Sequence, residues 1–220
     1  TAVDRAEQEE ARATEVNGTA VGVMAAYAAV REVPFLTFST DYVFPGDGSA
    51  PYVESSPTAP LNAYGRSKLA GERAALGICP AALVVRTSWL VSGTHPNFVA
   101  TMLRLATERE VKVVDDQRGC PTMVDDLAPA AWRALQNGVA GLLHLINAGE
   151  TTWYRFARAA VALAGLDPGR IVPCTTAEYP TPARRPAYSV MGSERREALG
   201  LPALPAWEES LPAVVEGLRR

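Results

Sequence analysis

PFLTFSTDY, residues 34–42, is the stretch that decides the fold. Residues 35–39 form a short apolar run, which is typical of a buried strand in a parallel sheet. Ser39, Thr40 and Asp41 then fall at the carboxyl end of that strand, where parallel sheets collect their ligands. The stretch therefore predicts an α/β fold with a functional site at this end of the sheet.

A second stretch, YGRSK at residues 64–68, suggests what that site does. Tyr64 and Lys68 are four residues apart, so on a helix they share one face. A free phenol has a pKa near 10, and a fixed ammonium beside it lowers that pKa toward the working range. With a Ser or Thr hydroxyl to hold a substrate oxygen, this pair predicts an acid catalyst for carbonyl reduction by a nicotinamide. The alternative is that Tyr-x-x-x-Lys occurs here by chance on a surface helix.

Longer motifs extend the pattern over nearly the whole chain. They are PFLTFSTDYVFPGDG (34–48), PYVESSPTAPLNAYGRSKLAGE (51–72), RTSWL (86–90), NFVATMLRLA (97–106), VVDDQRGCPT (113–122) and RRPAYSV (184–190). Together they resemble the dTDP-4-dehydrorhamnose reductase family of the extended short-chain dehydrogenase/reductase superfamily.

The resemblance implies roles for individual residues. It implies a catalytic set of Thr40, Tyr64 and Lys68; cofactor contacts at Thr1, Tyr64 and Lys68; and substrate contacts at Thr40, Asp41, Trp89 and Arg185. It also implies that Asn17 steadies the catalytic region. NADPH is the implied cofactor, with NADH left open, and a dTDP-sugar is the implied substrate. Magnesium and a homodimer enter through the family resemblance alone.

Plainer readings of these residues stay open at this point. Thr40 and Asp41 can simply cap the following turn, Trp89 can belong to the core, Arg185 can be a solvated arginine, and Asn17 can be a helix-surface asparagine.

The resemblance sets the expected architecture: a Rossmann-like, doubly wound parallel sheet with a smaller C-terminal substrate lobe. We expect one reductase domain over residues 1–220, with a sheet lobe at 1–90 and 123–147 and a substrate lobe at 91–122 and 148–220. No glycine-rich G-x-G-x-x-G turn occurs in the chain. The expectation is therefore that about 60 residues, the length of two βα units, are missing before Thr1 and that the chain alone binds NADPH weakly.

The segment before the first strand predicts a loop that leads into a long helix from about Glu9 to Arg31. Apolar residues recur in it at spacings of three and four, which predicts a face that packs on the sheet. The residues of that face are Ala11, Val16, Ala20, Val23, Met24, Tyr27 and Val30.

Composition excludes several classes of function. The 220 residues are 48% hydrophobic with a net charge of −3, and Lys and Arg (21) are fewer than Asp and Glu (24), so nucleic-acid binding is not indicated. No apolar stretch is long enough to cross a bilayer and no signal peptide is recognisable, so we expect a cytoplasmic protein. The cysteines Cys79, Cys120 and Cys174 are far apart and the two histidines stand alone, which predicts no metal site.

Three functional readings follow. The first is reduction of the 4-keto group of a dTDP-6-deoxyhexose, giving dTDP-L-rhamnose or a related antibiotic sugar such as dTDP-dihydrostreptose. The second is a nucleotide-sugar epimerase or dehydratase of the same superfamily. The third is a non-catalytic binding module of the same fold, similar to the regulatory subunit of methionine adenosyltransferase.

Overall fold

The structure is a computed structural model and describes residues 2–219. The α-helices are α1 (Val3–Gln8), α2 (Glu10–Thr14), α3 (Ala20–Arg31), α4 (Ala63–Ile78), α5 (Phe98–Glu108), α6 (Val124–Gln136), α7 (Trp153–Leu163), α8 (Glu194–Ala198) and α9 (Trp207–Leu218). The strands are β1 (Phe35–Thr40), β2 (Ala82–Thr87), β3 (Leu90–Val91), β4 (Val111–Val114), β5 (Arg118–Gly119), β6 (Thr122–Met123), β7 (Gly141–His144), β8 (Asn147–Ala148), β9 (Thr151–Thr152), β10 (Ile171–Cys174) and β11 (Leu204–Ala206). A π-helical turn (Glu15–Thr19) joins α2 to α3, and short 3-10 helices lie at Asp41–Val43, Pro168–Arg170 and Thr176–Glu178.

Parallel pairing organises the central sheet, as the sequence predicts. β1 pairs with β2 and β2 with β7, all parallel, in the order β1-β2-β7. The helix α4 connects β1 to β2, because parallel neighbours need a crossover connection. Thr40 is opposite Thr87 in the register, so the carboxyl ends of β1 and β2 coincide. The predicted α/β class with a parallel sheet is confirmed.

The described chain divides into two compact units. Unit 1 contains the residues up to Thr87, Pro129–Leu145 and Thr181–Pro202; unit 2 contains Ser88–Ala128, Ile146–Pro180 and the residues from Ala203 onward. Residues 181–202 thus belong with the sheet, whereas the sequence-based division assigned them to the substrate lobe. Which unit serves the cofactor and which the substrate stays a prediction.

In unit 1, the prediction of which face of the long helix is buried is wrong. Its large apolar residues point to solvent: Val16, Val23, Met24, Tyr27 and Val30 are all at least half exposed. The buried face consists instead of small residues, because α3 packs closely against α4. A Cβ added at Gly22 would meet the Cβ of Ala74 at 3.3 Å. Close helix packing therefore selected small side chains rather than the large ones that the periodicity favoured.

The beginning of the chain also differs from the prediction. Residues Val3–Gln8 form a helix rather than a loop. The predicted helix from Glu9 to Arg31 is present, but it is interrupted by the π-helical turn that contains Asn17. Single π-turns inside α-helices occur frequently at functional sites.

Unit 2 has its own hydrophobic core. Phe156 on α7 and Leu211 on α9 are almost completely buried, and Val99 of α5 packs with them. A parallel pair of strands, β4 with β10, lies against α7. This core carries the short strands β5, β6 and β9, which position the aromatic side chains described below.

Across residues 2–219, no helix combines the length and the apolar character that a membrane span requires.

Candidate active site

The amino end of α4 is fixed in place by capping. Asn62 is the N-cap residue, and its Oδ1 accepts a hydrogen bond from the backbone N of Gly65 at 2.8 Å. The backbone N of Ala63 donates to Glu7 Oε1 at 2.7 Å, so α1 supplies a second cap. Both bonds satisfy amides that a helix leaves without partners in its first turn. A Cβ at Gly65 would lie 2.2 Å from the carbonyl oxygen of Tyr42, so only glycine fits there.

Tyr64 and Lys68 occupy successive turns of α4, and both side chains are partly exposed. Beside them, Asn17 Nδ2 donates to Ser67 Oγ at 3.0 Å, and Ser67 Oγ donates to the carbonyl oxygen of Tyr64 at 2.8 Å. The π-helical turn also brings the Asn17 carbonyl against α4, where a Cβ at Gly71 would lie 2.1 Å from it. Asn17 therefore contacts α4 through both its side chain and its backbone.

The environment of Lys68 favours its neutral form. Burial lowers the pKa of Lys68, and the negative charge of Glu72 one turn further along α4 partly opposes that change. That Lys68 supplies a positive charge beside Tyr64 stays a prediction.

Thr40 ends β1 and begins the following turn. Its Oγ1 accepts from the backbone N of Tyr42 at 3.2 Å, which caps the 3-10 helix Asp41–Val43. The same hydroxyl donates to Asp41 Oδ1 at 2.9 Å. The ring of Tyr42 meets the ring of Tyr64 edge to face, with the centroids 5.9 Å apart. The turn after β1 is thereby held against the tyrosine of α4, and Thr40 does act as a turn cap.

Asp41 is an unusual carboxyl group. It is only 3% exposed, and its Oδ2 makes no hydrogen bond with any described residue. Burial raises the pKa of Asp41 to about 6, although hydrogen bonds from Ser189 and Thr40 work in the opposite direction. A buried polar atom without a partner costs folding free energy, so a ligand that donates to Oδ2 would relieve that cost. Burial also raises the pKa of Tyr42, so that phenol remains protonated.

Arg185 forms an ion pair inside unit 1. Its Nη2 lies 3.0 Å from Asp4 Oδ2 on α1, and its Nη1 donates to the carbonyl oxygen of Ala183 at 3.2 Å. Asp4 Oδ1 also accepts from the backbone N of Ala183. The neighbouring Arg184 is exposed. The structure thus gives Arg185 protein partners, and its predicted contact with a diphosphate stays a prediction.

In unit 2, Trp89 is held in a strained conformation. Its φ of +46° is in the left-handed region, which bulky residues rarely adopt. Its indole stacks on that of Trp153 with the ring centroids 3.6 Å apart and the planes within 11°. A Cβ at Gly119 would lie 2.6 Å from the Trp89 ring, so the strand β5 also presses against it. Strain of this kind persists only where the surroundings enforce it, and it often marks a functional residue.

The geometry and the motifs together correspond to a known family. A family model described as the RmlD substrate binding domain matches residues 1–220. The chain belongs to this family. It is 46% identical over 214 residues to a probable dTDP-4,6-dihydroxy-2-methyloxan-3-one 4-ketoreductase of Streptomyces antibioticus, covering 96% of this chain and 72% of the relative. It is 44% identical over 238 residues to a dTDP-4-dehydrorhamnose reductase of Burkholderia thailandensis, covering 99% of this chain and 79% of the relative.

A solved structure of the same kind agrees with the fold. The dTDP-4-dehydrorhamnose reductase of Bacillus anthracis, in complex with NADP, superposes with a TM-score of 0.92 at 36% identity. The match covers 96% of this chain and 75% of that one. The expected family and the Rossmann-like fold class are therefore confirmed.

Most of the residues that the RmlD resemblance singled out lie in unit 1. These are Thr40, Asp41, Tyr64, Lys68 and Arg185, with Asn17 beside them, whereas Trp89 lies in unit 2. Thr1 lies outside the described residues. The roles of all these residues in binding and catalysis stay predictions.

The sequence predicted no role for a group of buried charged residues behind Thr40, Tyr64 and Lys68. Glu72 pairs with Arg86, and Glu54 accepts hydrogen bonds from the backbone N of His144 and from Ser193 Oγ. Glu54, Glu72 and Arg86 all fall within the motifs quoted above, but the motifs do not indicate that these residues meet. His144, which seemed isolated in the sequence, is completely buried in this group.

Within residues 2–219, His, Cys, Asp and Glu form no group of three or more that could hold a metal ion, so the magnesium expectation of the RmlD resemblance has no ligand set there. Cys79, Cys120 and Cys174 are buried, and none of them forms a disulfide bond with another described residue.

Proposed function

We propose that the protein reduces the 4-keto group of dTDP-4-dehydro-L-rhamnose with NADPH, giving dTDP-L-rhamnose. The observation that carries this proposal is the placement of Tyr64 and Lys68 on adjacent turns of α4, with Thr40 at the end of β1 in the same unit. The names of the related reductases and their extensive coverage of this chain support the same reaction.

The residues present suit the nicotinamide end of NADPH. Tyr64 and Lys68 are both partly exposed, and a cavity of about 190 Å³ lies beside Tyr64, with Asn17 and Arg12 in its lining. A phenol and an ammonium are the donors that ribose hydroxyls and a substrate carbonyl require. When bound, the cofactor supplies the hydride. The Bacillus anthracis relative in complex with NADP supports NADPH, and NADH is the alternative cofactor.

Tyr64 provides the proton in this mechanism. As negative charge develops on the keto oxygen, the Tyr64 hydroxyl transfers its proton to that oxygen. The Lys68 ammonium stabilises the phenolate that remains and so brings the pKa of Tyr64 toward the working pH. The hydrogen bonds from Asn17 to Ser67 and from Ser67 to the Tyr64 carbonyl hold this turn of α4 in place.

Thr40 orients the keto oxygen against Tyr64. Its hydroxyl hydrogen is engaged by Asp41 Oδ1, so it must turn toward the substrate to donate to the keto oxygen. Asp41 accepts a hydrogen bond from a sugar hydroxyl through its otherwise unpartnered Oδ2. Such a bond satisfies a buried acceptor, which makes Asp41 sensitive to whether that hydroxyl is present.

Trp89 provides an apolar surface for the sugar, and Arg185 contributes positive charge for the diphosphate. A rigid indole suits the apolar face and the 6-methyl group of a deoxysugar. A guanidinium matches the geometry of a phosphate oxygen pair. For Arg185, the bond to Asp4 must loosen or share its donors for this contact to form.

A related deoxysugar is the second candidate substrate. The Streptomyces antibioticus relative, named as a probable 4-ketoreductase for a different dTDP-sugar, is about as similar to this chain as the rhamnose enzymes are. The same Tyr64 chemistry serves either 4-keto sugar.

The test is turnover of a panel of substrates. The protein, expressed from its complete gene, is supplied with NADPH and with dTDP-4-dehydro-L-rhamnose generated in situ, and NADPH consumption is followed by absorbance. We expect turnover that requires both compounds, with NADH giving a lower kcat/KM. If only another dTDP-4-keto sugar is turned over, that sugar replaces dTDP-4-dehydro-L-rhamnose as the proposed substrate. Binding of NADPH and a dTDP-sugar without any turnover would support the non-catalytic reading.

A further inference from the structure

A buried ion pair lies directly behind the proposed catalytic residues. Glu72 on α4 is one turn beyond Lys68, and its carboxylate accepts from Arg86 at both oxygens, 2.8 Å from Nε to Oε1 and 2.6 Å from Nη2 to Oε2. Ser39 Oγ donates to the same carboxylate at 2.5 Å. Both charged side chains are only 4% exposed. The pair therefore connects α4, which carries Tyr64, to the strands β1 and β2.

The rings packed against Arg86 are uncharged. The Arg86 guanidinium lies over the Phe44 ring at 5.0 Å, and its Nη1 is 3.5 Å from His144 Nε2. His144 Nδ1 lies 2.8 Å from the carbonyl oxygen of Gly192, to which it donates. Burial lowers the pKa of His144, so its imidazole is neutral at physiological pH. Arg86 and Glu72 thus balance each other.

Burying a charged pair here costs folding free energy. Removing two ions from water costs several kcal/mol each, and apolar residues of similar volume often serve stability as well or better. Both partners of the carboxylate, however, lie close to Thr40 in the sheet, because Arg86 on β2 is opposite Ser39 on β1. Ser39 directly precedes Thr40, and Thr87, which directly follows Arg86, is opposite Thr40 in the sheet.

We propose that Glu72 and Arg86 are a charge-balanced positioning pair, which holds α4 against β1 and β2 and sets the electrostatic field in which Tyr64 gives its proton to the keto oxygen. This inference rests on the proposed ketoreductase function. Neither residue is a catalytic residue, because both act through their neighbours.

Several other charged or titratable groups face this region. They are Lys68 on α4, Asp41 and Tyr42 after β1, Glu54 beside His144 on β7, Asp4 on α1, and Arg185 in the segment before α8. None of them changes in the variants below. A movement of the pH profile that has opposite signs in the two single variants therefore reports the charge of the pair.

Removing one member of the pair leaves a net charge behind α4. Glu72→Gln leaves the positive Arg86, which favours the phenolate of Tyr64 and the neutral form of Lys68. Arg86→Gln leaves the negative Glu72 and acts in the opposite direction. In the double variant the region is neutral again, as in the original protein. The two single variants and the double variant thus form a charge cycle at one location.

The experiment measures kcat/KM for ketone reduction against pH. Tyr64 must carry its proton to act, so the alkaline limb of the profile reports loss of that proton. We expect the limb to move about 0.5 to 1 pH unit to lower pH in Glu72→Gln and by a similar amount to higher pH in Arg86→Gln. In the double variant the limb returns to its original position, although the rate stays reduced because the geometry is not restored.

A matched control is available at an exposed ion pair between α2 and α4. Glu10 forms an ion pair with Arg66, two residues from Tyr64, but both side chains are more than 40% exposed. Glu10→Gln also removes one carboxylate from an ion pair with an arginine, yet solvent screens the charge that remains. We expect its alkaline limb to stay within the error of the original profile.

A second readout does not depend on activity. The ultraviolet absorbance of the phenolate is titrated in each variant, with and without Tyr64→Phe, and the difference gives the ionisation of Tyr64 itself. Opposite shifts in the two single variants support the inference even if the protein reduces no tested sugar, in which case only the proposed function fails. Unmoved limbs and unmoved titrations in variants with lowered melting temperatures would overturn it, because the pair would then be purely structural. If one single variant fails to fold, the alkaline limb of the other single variant is compared with that of the double variant. A shift that the double variant reverses supports the inference, and the absence of a shift overturns it.

Discussion

Replacing Asp41 with Asn tests how much the buried, ionised carboxylate of Asp41 lowers the free energy of unfolding. Burial raises the pKa of Asp41 from 3.8 to about 6, because the ionised carboxylate is removed from water with one oxygen unpartnered among the described residues. An acid whose pKa is raised on folding binds its proton more tightly in the folded state. Its contribution to stability is therefore present at low pH and is lost as pH rises from about 4 to about 6.

The magnitude follows from the shift. A change of about 2 pH units corresponds to about 3 kcal/mol at 1.36 kcal/mol for each unit. For a chain of this size, about 3 kcal/mol corresponds to a change of about 6 to 12 °C in melting temperature. Asparagine carries no charge at any pH, so the variant does not suffer this loss.

The assay compares melting temperatures of the original protein and Asp41→Asn between about pH 4 and about pH 8. The amide introduces its own constant cost, since its NH₂ group has no acceptor there, but that cost is the same at every pH. Across this pH range, we expect the free energy of unfolding of the variant to rise by about 3 kcal/mol relative to that of the original protein. Most of this change should occur below about pH 6. A difference that does not change with pH would refute the claim that Asp41 is a strained, buried acid.

Two further predictions concern packing. Gly71→Ala places a Cβ 2.1 Å from the Asn17 carbonyl oxygen and should lower stability by about 2 kcal/mol or more, whereas Gly77→Ala on the same helix meets nothing within 4 Å and should raise it by about 0.5 to 1 kcal/mol. Denaturant unfolding of both variants checks this, and equal effects would contradict the close contact between the helices. Trp153→Phe should remove the exciton coupling that the stacked Trp89 and Trp153 indoles produce in circular dichroism, and it should raise KM for the sugar more than it lowers kcat. An unchanged circular dichroism signal would show that the two indoles are not stacked in solution.

The sequence predicted the parts of the fold that follow from local chemistry. The apolar run at residues 35–39 lies in the strand Phe35–Thr40, and Tyr64 and Lys68 share the helix Ala63–Ile78. That helix begins after Asn62, whose side chain caps the backbone N of Gly65.

What the sequence could not predict depends on partners distant along the chain. The long helix buries Gly18 and Ala25 rather than Val23 and Tyr27, because a closely packed helix selects for small side chains and periodicity alone does not reveal the partner. For the same reason, the ion pair of Glu72 with Arg86 escaped notice. Each residue lies within a motif, yet nothing local indicates that they meet.

The central claim is that Tyr64 donates the proton in reduction of a 4-keto sugar. Its most direct test is the rate of NADPH oxidation with dTDP-4-dehydro-L-rhamnose for the original protein and for Tyr64→Phe, which keeps the ring and its contact with Tyr42 but removes the hydroxyl. We expect kcat to fall by about 10² to 10⁴ with little change in the melting temperature. Turnover by Tyr64→Phe at a rate close to that of the original protein would contradict the account.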